Sequence, residues 1–362
     1  MPTDPAERPA ESNDESVWGE PGASPDPALV AAVTIDHIRD ASERIDGVAT
    51  RTPALRAPLL DTPLASRVTL KCENLQPIGA FKIRGAANAM RRLDTAQRER
   101  GVITYSSGNH AQGIAYAARE LQIPAVIVMP ANAPRVKLDA TRRLLEGAPK
   151  GSEVVEYDPS NTVREQLGRT LAAERGLHLI PPYDHPDVIA GQGTATLELF
   201  DDAGPFDTLF VCCGGGGLLA GAATVAKALA PACRVIGVEP ACADDATRSF
   251  ESGRLCTVNN PPTIADGTRT AFLGRYTFPI VRERVDAMMT VTEQEIASAT
   301  LFCFESLRLA AEPSGALGIA GAIKAASRGE PLGNRVGIII SGGNIDLDRL
   351  PKIRAIASGP GE

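Results

Sequence analysis

The chain has 362 residues, of which 43% are hydrophobic and only 4% aromatic, with a formal net charge of −7 at pH 7. That length buries a real core in two modest domains or one large α/β domain, and so few aromatics exclude a base-stacking surface for nucleic acid. Seven acids (Asp4, Glu7, Glu11, Asp14, Glu15, Glu20, Asp26) face a single base, Arg8, within residues 1–29, so the remainder is nearly neutral and offers nothing to a polyanionic partner.

Residues 1–29 are rich in Pro, Glu, Ser, Asp and Gly and lack an apolar run, which reads as a disordered acidic tail and not as a signal peptide. No later stretch of about eighteen apolar residues is present, so no membrane span is expected. The seven cysteines (Cys72, Cys212, Cys213, Cys233, Cys242, Cys256, Cys303) form no C-x-x-C pair or zinc-type spacing, the pattern of reduced thiols in a cytoplasmic protein. Asp26-Pro27 reads as a helix start, with helical periodicity to about Ile45. From there, short β-branched runs predict strands at Val68–Lys71, Val102–Tyr105, Ala125–Met129, Glu153–Tyr157, Leu177–Ile180, Thr208–Cys213, Arg234–Val238 and Val336–Ile340. Between them, Gly108–Leu121, Thr162–Arg175, Gly217–Leu229 and Glu293–Ala326 read as helices, two of them opening on capping boxes, Thr162-x-x-Glu165 and Thr292-x-x-Glu295. Apolar strands alternating with helices predict an α/β fold, and eight strands favour two lobes, each a mostly parallel twisted sheet flanked by helices, with a cleft between them. Ligands of such sheets bind beyond the carboxyl ends of the strands.

Four segments at those ends carry chemistry. Asn74-Leu-Gln-Pro-Ile-Gly-Ala-Phe-Lys-Ile-Arg-Gly-Ala86 bends after a strand and opens a helix with Phe81 and Lys82. An ammonium in a helix's first turn meets the positive end of the dipole, and partial desolvation would lower its pKa and suit imine-forming chemistry; taken alone it is an ordinary surface lysine. Gly214, Gly215, Gly216 and Gly217 lie between a strand and a helix, where backbone N–H groups gather into a phosphate cradle. The same stretch, as Gly215-x-Gly217-x-x-Ala220 with Glu239 ending the next strand, also matches a dinucleotide fingerprint, and on the local pattern both readings stand. Ser106-Ser-Gly-Asn-His-Ala-Gln-Gly113 opens another helix, where Ser106, Ser107 and Asn109 either cap it or hold a carboxylate; His110 has no metal-like partner. Ser341-Gly-Gly-Asn344 closes the last strand, as a plain turn or with its hydroxyl aimed into the cleft.

These four segments, in their order along the chain, resemble the serine/threonine dehydratase and serine racemase group of pyridoxal-phosphate (PLP) enzymes, in the tryptophan-synthase-β-like fold. The resemblance runs from about residue 30 to 350 and includes Tyr183-Asp-His-Pro-Asp-Val-Ile-Ala-Gly-Gln-Gly-Thr194, Thr263-Ile-Ala-Asp-Gly267 and Glu312-Pro-Ser-Gly315. It implies a larger PLP-binding domain, 30–95 plus 180–355, a smaller mobile domain, 96–179, and a homodimer. It implies that Lys82 holds PLP covalently, Phe81 packs near the ring, Gly214 to Gly217 bind the phosphate, Asn109 bonds the ring hydroxyl and Ser341 faces the pyridine nitrogen. The substrate would be a small amino acid, its carboxylate held by Ser106, Ser107, Asn109 and His110. The implied activity is a dehydratase (ammonia-lyase) turning L-threonine- or L-serine-type β-hydroxy amino acids into 2-oxo acids and ammonia. Racemisation is the alternative, with Ser107 as the opposite-face acid/base. A β-hydroxyaspartate dehydratase is another, with Arg164 receiving the second carboxylate, although Arg164 equally reads as a solvated helix residue.

Val238-Glu-Pro-Ala-Cys-Ala-Asp-Asp245 resembles the group's divalent-cation site, which implies Glu239, Asp245 and the Ala243 carbonyl around Mg²⁺ or Ca²⁺; a solvated acidic turn remains the other reading. Two departures stand out: Ala80 where many relatives have serine, and a longer segment at Leu145–Glu153. No regulatory domain follows the last strand, so feedback control by a branched-chain amino acid is not expected.

Overall fold

The computed structural model describes residues 19–106, 108–133 and 135–359. Ten strands among them form two sheets: β1 Ala54–Arg56, β2 Arg67–Cys72, β3 Val102–Tyr105, β4 Ala125–Pro130, β5 Glu153–Tyr157, β6 His178–Leu179, β7 Thr208–Cys212, β8 Arg234–Pro240, β9 Ala287–Val291 and β10 Arg335–Ile340. The larger sheet has the order β1-β2-β10-β7-β8-β9 and the smaller β5-β4-β3-β6. All neighbours run parallel except β1 on β2. Strands covered on both faces read as unbroken apolar runs, and β7 and β10 from Val336 onward are buried throughout. The two strands not anticipated are both edges. β1 is three residues long between Pro53 and Pro58, and β9 (Ala-Met-Met-Thr-Val) is partly exposed along its first four residues, so neither shows alternation or a β-branched run.

Helices depart from expectation where a local polar contact beats periodicity. The helix anticipated from Pro27 to Ile45 is a 3₁₀ turn, Pro27–Ala32, and then an α-helix, Ile35–Arg44, because Val33 and Thr34 are extended and Thr34 closes a capping box with His37. Glu293–Ala326 is interrupted by a π turn, Cys303–Leu307, and by left-handed Arg308 (φ 59°), and it restarts at Pro313. The Thr292 box forms as expected, but Thr162 donates to Asn161 Oδ1 and the helix starts at Arg164 without a side-chain cap. Of the acidic tail read as disordered, residues 1–18 lie outside the described residues and 19–29 are ordered. Gly22 N donates to Leu255 O (2.8 Å) and Leu255 N to Ala23 O (2.7 Å). Composition does not reveal a partner so distant in the chain.

Hydrophobic side chains gather into a large core around the six-stranded sheet and a second one on the smaller sheet. The helix Lys82–Arg91 puts Ile83, Ala86, Ala87 and Met90 into the second core beside Ile114 and Ala115 of Asn109–Leu121, although the sequence boundary at 95/96 assigns it to the larger domain. Helix Pro186–Ala203 crosses it so closely that a Cβ on Gly191 would lie 2.5 Å from Arg84 O. Beneath that crossing sits a fully buried ion network. Arg84 donates to both oxygens of Glu73 (2.7 and 2.8 Å) and of Glu198 (2.7 and 2.8 Å), and Lys71 Nζ adds a bond to Glu198 at 2.6 Å. Two cations against two carboxylates leave no net buried charge, and the network pins the first turn of the helix that begins at Lys82.

Candidate active site

In the larger sheet β10 lies between β2 and β7, with Ile340 in register with Cys72, so the loops leaving these three strands emerge side by side at their carboxyl ends. They are sewn together by the backbone: Phe81 N donates to Ser341 O (3.0 Å) and Gly343 N to Gly79 O (2.8 Å). Asn344 Nδ2 donates to Ile78 O (2.7 Å) and to Asn109 Oδ1 (2.9 Å), which draws in the loop after β3 from the smaller sheet. Three of the four segments therefore meet through hydrogen bonds.

Lys82 is the first residue of its helix and only partly accessible; its Nζ donates to Pro182 O at 2.6 Å and lies 5.1 Å from the Phe81 ring centre. Burial strips water from the ammonium and lowers its pKa to about 8, against a smaller opposing influence from Cys212. A useful fraction of neutral amine at neutral pH is the condition for attack on an aldehyde. Cys212 ends β7 between Lys82 and Ser341; burial raises its thiol to about 11, opposed by the Ser341 hydroxyl and Lys82. Ser341 is 3% exposed and its Oγ bonds Ser314 O at 3.4 Å.

The glycine loop carries the fourth segment. Among the described residues the N–H groups of Gly214, Gly215 and Gly216 have no acceptor, whereas Cys213 N pairs with Val238 O and Ala220 N with Gly216 O. Gly216 is left-handed (φ 88°) and caps helix Gly217–Leu229, and a Cβ on Gly215 would lie 2.4 Å from the Tyr183 ring. Only glycine lets the loop turn there under the tyrosine. Orphan amides at a helix N-terminus beside a desolvated amine fit a phosphorylated aldehyde.

Asn109 is committed on two sides: Nδ2 donates to Glu312 Oε1 at 2.6 Å and Oδ1 accepts from Asn344, leaving one amide hydrogen for another partner. His110 is buried (2% exposed), with Nε2 at 3.3 Å from Ile180 O and Nδ1 without a partner. Burial and then the Lys82 charge push it down to about 3, so it is neutral at pH 7. Ser106 Oγ accepts from Gly108 N (3.3 Å); Ser107 lies outside the described residues. Arg164 bonds Glu165 (2.6 Å), acts electrostatically on Tyr183 and Tyr157, and has no other acceptor among the described residues.

Glu239 and Asp245 come together as anticipated, 1% and 3% exposed. Burial first and then Asp245 raise the Glu239 carboxyl well above its ordinary range, and burial raises Asp245 to about 7. Asp245 Oδ2 has no partner, while Glu239 Oε1 accepts from Thr247 N at 2.8 Å. A carboxylate so enclosed and so faced by a second acid is closed to a ribose, which removes the dinucleotide reading. Ala243 is buried beside them, its N donating to Pro240 O (2.9 Å). Among the described residues no group of three or more His, Cys, Asp and Glu side chains is placed to hold a metal; the anticipated set has two carboxylates and a carbonyl.

Several residues of the site carried no assigned role in the sequence reading. Glu312 is buried, and burial with Asp266 nearby raises its carboxyl to about 7, while the Asn109 amide opposes. Its signal was an acid before Pro313 at a helix start where it does not cap. Asp184 holds the turn beside Tyr183, accepting from Arg275, Tyr276 and Thr277 N. Lys137 of the smaller lobe reaches Asp266 of the larger at 2.6 Å, and Arg349 approaches the same carboxylate at 3.5 Å.

Among the described residues no helix is long and apolar enough to cross a membrane, and all seven cysteines are free. A family model described as pyridoxal-phosphate dependent enzyme matches residues 45–342. The chain is 50% identical over 311 residues (85% of this chain, 94% of the relative) to an L-threo-3-hydroxyaspartate ammonia-lyase from a Pseudomonas species. It is 46% identical over 316 residues (87% and 95%) to a serine racemase of Schizosaccharomyces pombe. The structure of maize serine racemase superposes with a TM-score of 0.82 at 40% identity, covering 89% of this chain and 96% of that one. With Lys82, the glycine cradle and the serine-bearing loops converging as they do, the chain belongs to the pyridoxal-phosphate dependent enzymes, among the ammonia-lyases and racemases of that family.

Proposed function

We propose that this enzyme is an ammonia-lyase whose preferred substrate is a β-hydroxy amino acid with a second carboxylate, 3-hydroxyaspartate, and not threonine or serine as the sequence reading preferred. The observation that carries this is Arg164. It stands on the smaller lobe beside Tyr183, whose ring lies against the glycine loop, and its Nη groups have no acceptor among the described residues. A guanidinium offers a carboxylate two parallel bonds, and the Pseudomonas relative supports the same substrate.

PLP held on Lys82 supplies the electron sink that acidifies the α C–H bond. The chain's residues do the rest. The helix N-terminus at Asn109, with Ser106 and Ser107, receives the α-carboxylate. Arg164 receives the β-carboxylate and fixes the side-chain rotamer. The Lys82 amine, in its neutral form, would take the α-proton as general base. Ser341, a neutral hydroxyl, would face the cofactor's ring nitrogen and, unlike a carboxylate, would not hold a proton there, which favours prompt departure of the β-hydroxyl over a long-lived carbanion. Glu239, Asp245 and the Ala243 carbonyl are proposed to hold Mg²⁺ or Ca²⁺; the unpartnered Asp245 Oδ2 supports this, and hard oxygen donors suit these ions.

The test is Arg164→Gln. A charge-assisted bond of about 1.5–3 kcal/mol predicts that kcat/KM for L-threo-3-hydroxyaspartate falls about 10- to 150-fold while that for L-serine changes less than about threefold. Equal losses on both substrates would show that Arg164 does not select the second carboxylate.

A further inference from the structure

Residues 19–33 are tied to the larger lobe as a strap, and the ties reach the glycine loop. Gly22 N donates to Leu255 O (2.8 Å), Leu255 N to Ala23 O (2.7 Å) and Arg254 Nη1 to Gly22 O (3.2 Å). Further along, Arg284 donates to Val30 O (3.1 Å) and Val33 O (2.8 Å). The strap lies ahead of residues 45–342, the span that the family model matches. At its start it meets one side chain. Gly19 has a φ of 119°, and a Cβ there would lie 2.7 Å from Phe272 Cζ and 3.1 and 3.3 Å from the two Cε atoms. Conformation and the ring both call for glycine at that position.

Phe272 belongs to residues 268–277, which wall the glycine loop. A Cβ on Gly214 would lie 3.0 Å from Thr268 Cα, and one on Gly216 2.9 Å from Leu273 Cδ2. Thr277 Oγ1 donates to Gly215 O (2.7 Å), and Phe272 O accepts from the hydroxyl of Tyr183 (3.3 Å), whose ring covers Gly215. The strap joins this wall at three places. Gly19 sits on Phe272, and Leu255 precedes Val258, whose N donates to Ala271 O (2.9 Å). Arg284 ends the helix Thr277–Arg284 that leaves the wall. Four glycines in a row lose more backbone freedom on ordering than any other sequence. They also carry no side chains with which to fix their own loop. Whatever holds the loop in shape beforehand therefore strengthens its grip on an anion.

We propose that residues 19–24 position the phosphate-binding loop: seated on Phe272, they hold the wall that keeps Gly214 to Gly217 in their anion-binding shape. The proposal rests on the reading of that loop as the PLP phosphate cradle. Gly19 and Gly22 are then positioning residues, acting through Phe272 and Leu255.

The experiment titrates the cofactor-free, full-length wild type and its Gly19→Val and Gly22→Pro variants with PLP and with its phosphate-free analogue pyridoxal, reading affinity from visible absorbance. Valine at 19 drives into the Phe272 ring, and proline at 22 removes the donor to Leu255 O and cannot adopt the φ of 90°. Each variant should bind PLP at least about tenfold more weakly, the loss of roughly one hydrogen bond to a charged group, and pyridoxal less than about twofold more weakly. Asp26→Ala, which removes only the side-chain acceptor of Ala28 N (2.9 Å), should change neither. Unchanged PLP affinity in both strap variants would overturn the proposal. So would equal losses on PLP and pyridoxal, or a matching loss in Asp26→Ala, since a strap that merely stabilises the fold acts without regard to the phosphate. A wild type with no preference for PLP over pyridoxal would defeat the cradle reading and the strap with it. None of these outcomes depends on which amino acid the enzyme turns over. Should Gly22→Pro fail to fold by circular dichroism, Arg254→Gln, at an exposed position, loosens the same contact and carries the test with a PLP loss of at least about threefold.

Discussion

Replacing Arg84 with methionine removes the cation at the centre of the network under Lys82. Arg84 makes paired bonds to Glu73 and to Glu198 and further bonds to Thr194 Oγ1 (3.0 Å) and Thr50 O (3.2 Å). In its absence Lys71 still answers Glu198, but Glu73, with no exposure, keeps among the described residues only Thr52 Oγ1 and Gln76 Nε2 as hydrogen-bond partners, with the Lys71 charge acting on it without a direct bond. Leaving one buried charge unpaired costs about 3–5 kcal/mol, a large part of the roughly 5–15 kcal/mol that holds a typical protein folded. At an unfolding entropy of about 2.1 cal/mol/K per residue, the melting temperature falls by about 4–7 °C. The pH dependence identifies the cause. Burial pushes the Glu73 carboxyl up, but Arg84 outweighs it and holds the folded-state pKa below the ordinary value, so in the wild type the ion pair stabilises above the unfolded pKa of about 4.3. In Arg84→Met burial is left unopposed by that cation, and the penalty is present at high pH and relieved as Glu73 protonates. Urea unfolding followed by circular dichroism at pH 8 and pH 5 should show the deficit shrinking at pH 5. A deficit below about 1 kcal/mol at pH 8, or one equal at both pH values, would refute the reasoning: it would mean that the methionine packs as well as the network bonds.

Two further outcomes follow from the site. The rate at which cofactor-free enzyme takes up PLP, read from visible absorbance, should rise with pH through a midpoint of about 8, because the attacking species is the neutral Lys82 amine; a midpoint near 10 would contradict burial of that amine. Mg²⁺ should raise the melting temperature more at pH 8 than at pH 6, since Asp245, which titrates near 7, must lose its proton to bind a cation. The effect should vanish in Asp245→Asn, and persistence there would move the cation elsewhere.

Much of the site is legible in the sequence because it depends on backbone demands that leave local marks. A lysine opening a helix after Pro77 and Gly79, and four glycines between a buried strand and a helix, each have few uses. What escapes is whatever depends on a distant partner. Glu312 looks like a failed cap until Asn109 arrives 203 residues away. Arg84, Glu73 and Glu198 read as ordinary surface charges until the crossing of two helices buries them. The same limit applies to residues 19–29, whose order depends on Leu255, and to the interlobe contact of Lys137 with Asp266. Edge strand β9 escapes for the opposite reason, since its half-exposed methionines carry too little pattern of any kind.

The most direct test of the proposed activity is to incubate PLP- and Mg²⁺-loaded enzyme with L-threo-3-hydroxyaspartate, L-threonine and L-serine and to quantify 2-oxo acid, remaining L-form and new D-form by chiral chromatography. The account predicts that oxo acid forms fastest from hydroxyaspartate, with one ammonia released per oxo acid and little D-isomer. Dominant D-serine would move the assignment to a racemase with Ser107 as second acid/base, and preferential turnover of threonine or serine would contradict the role given to Arg164.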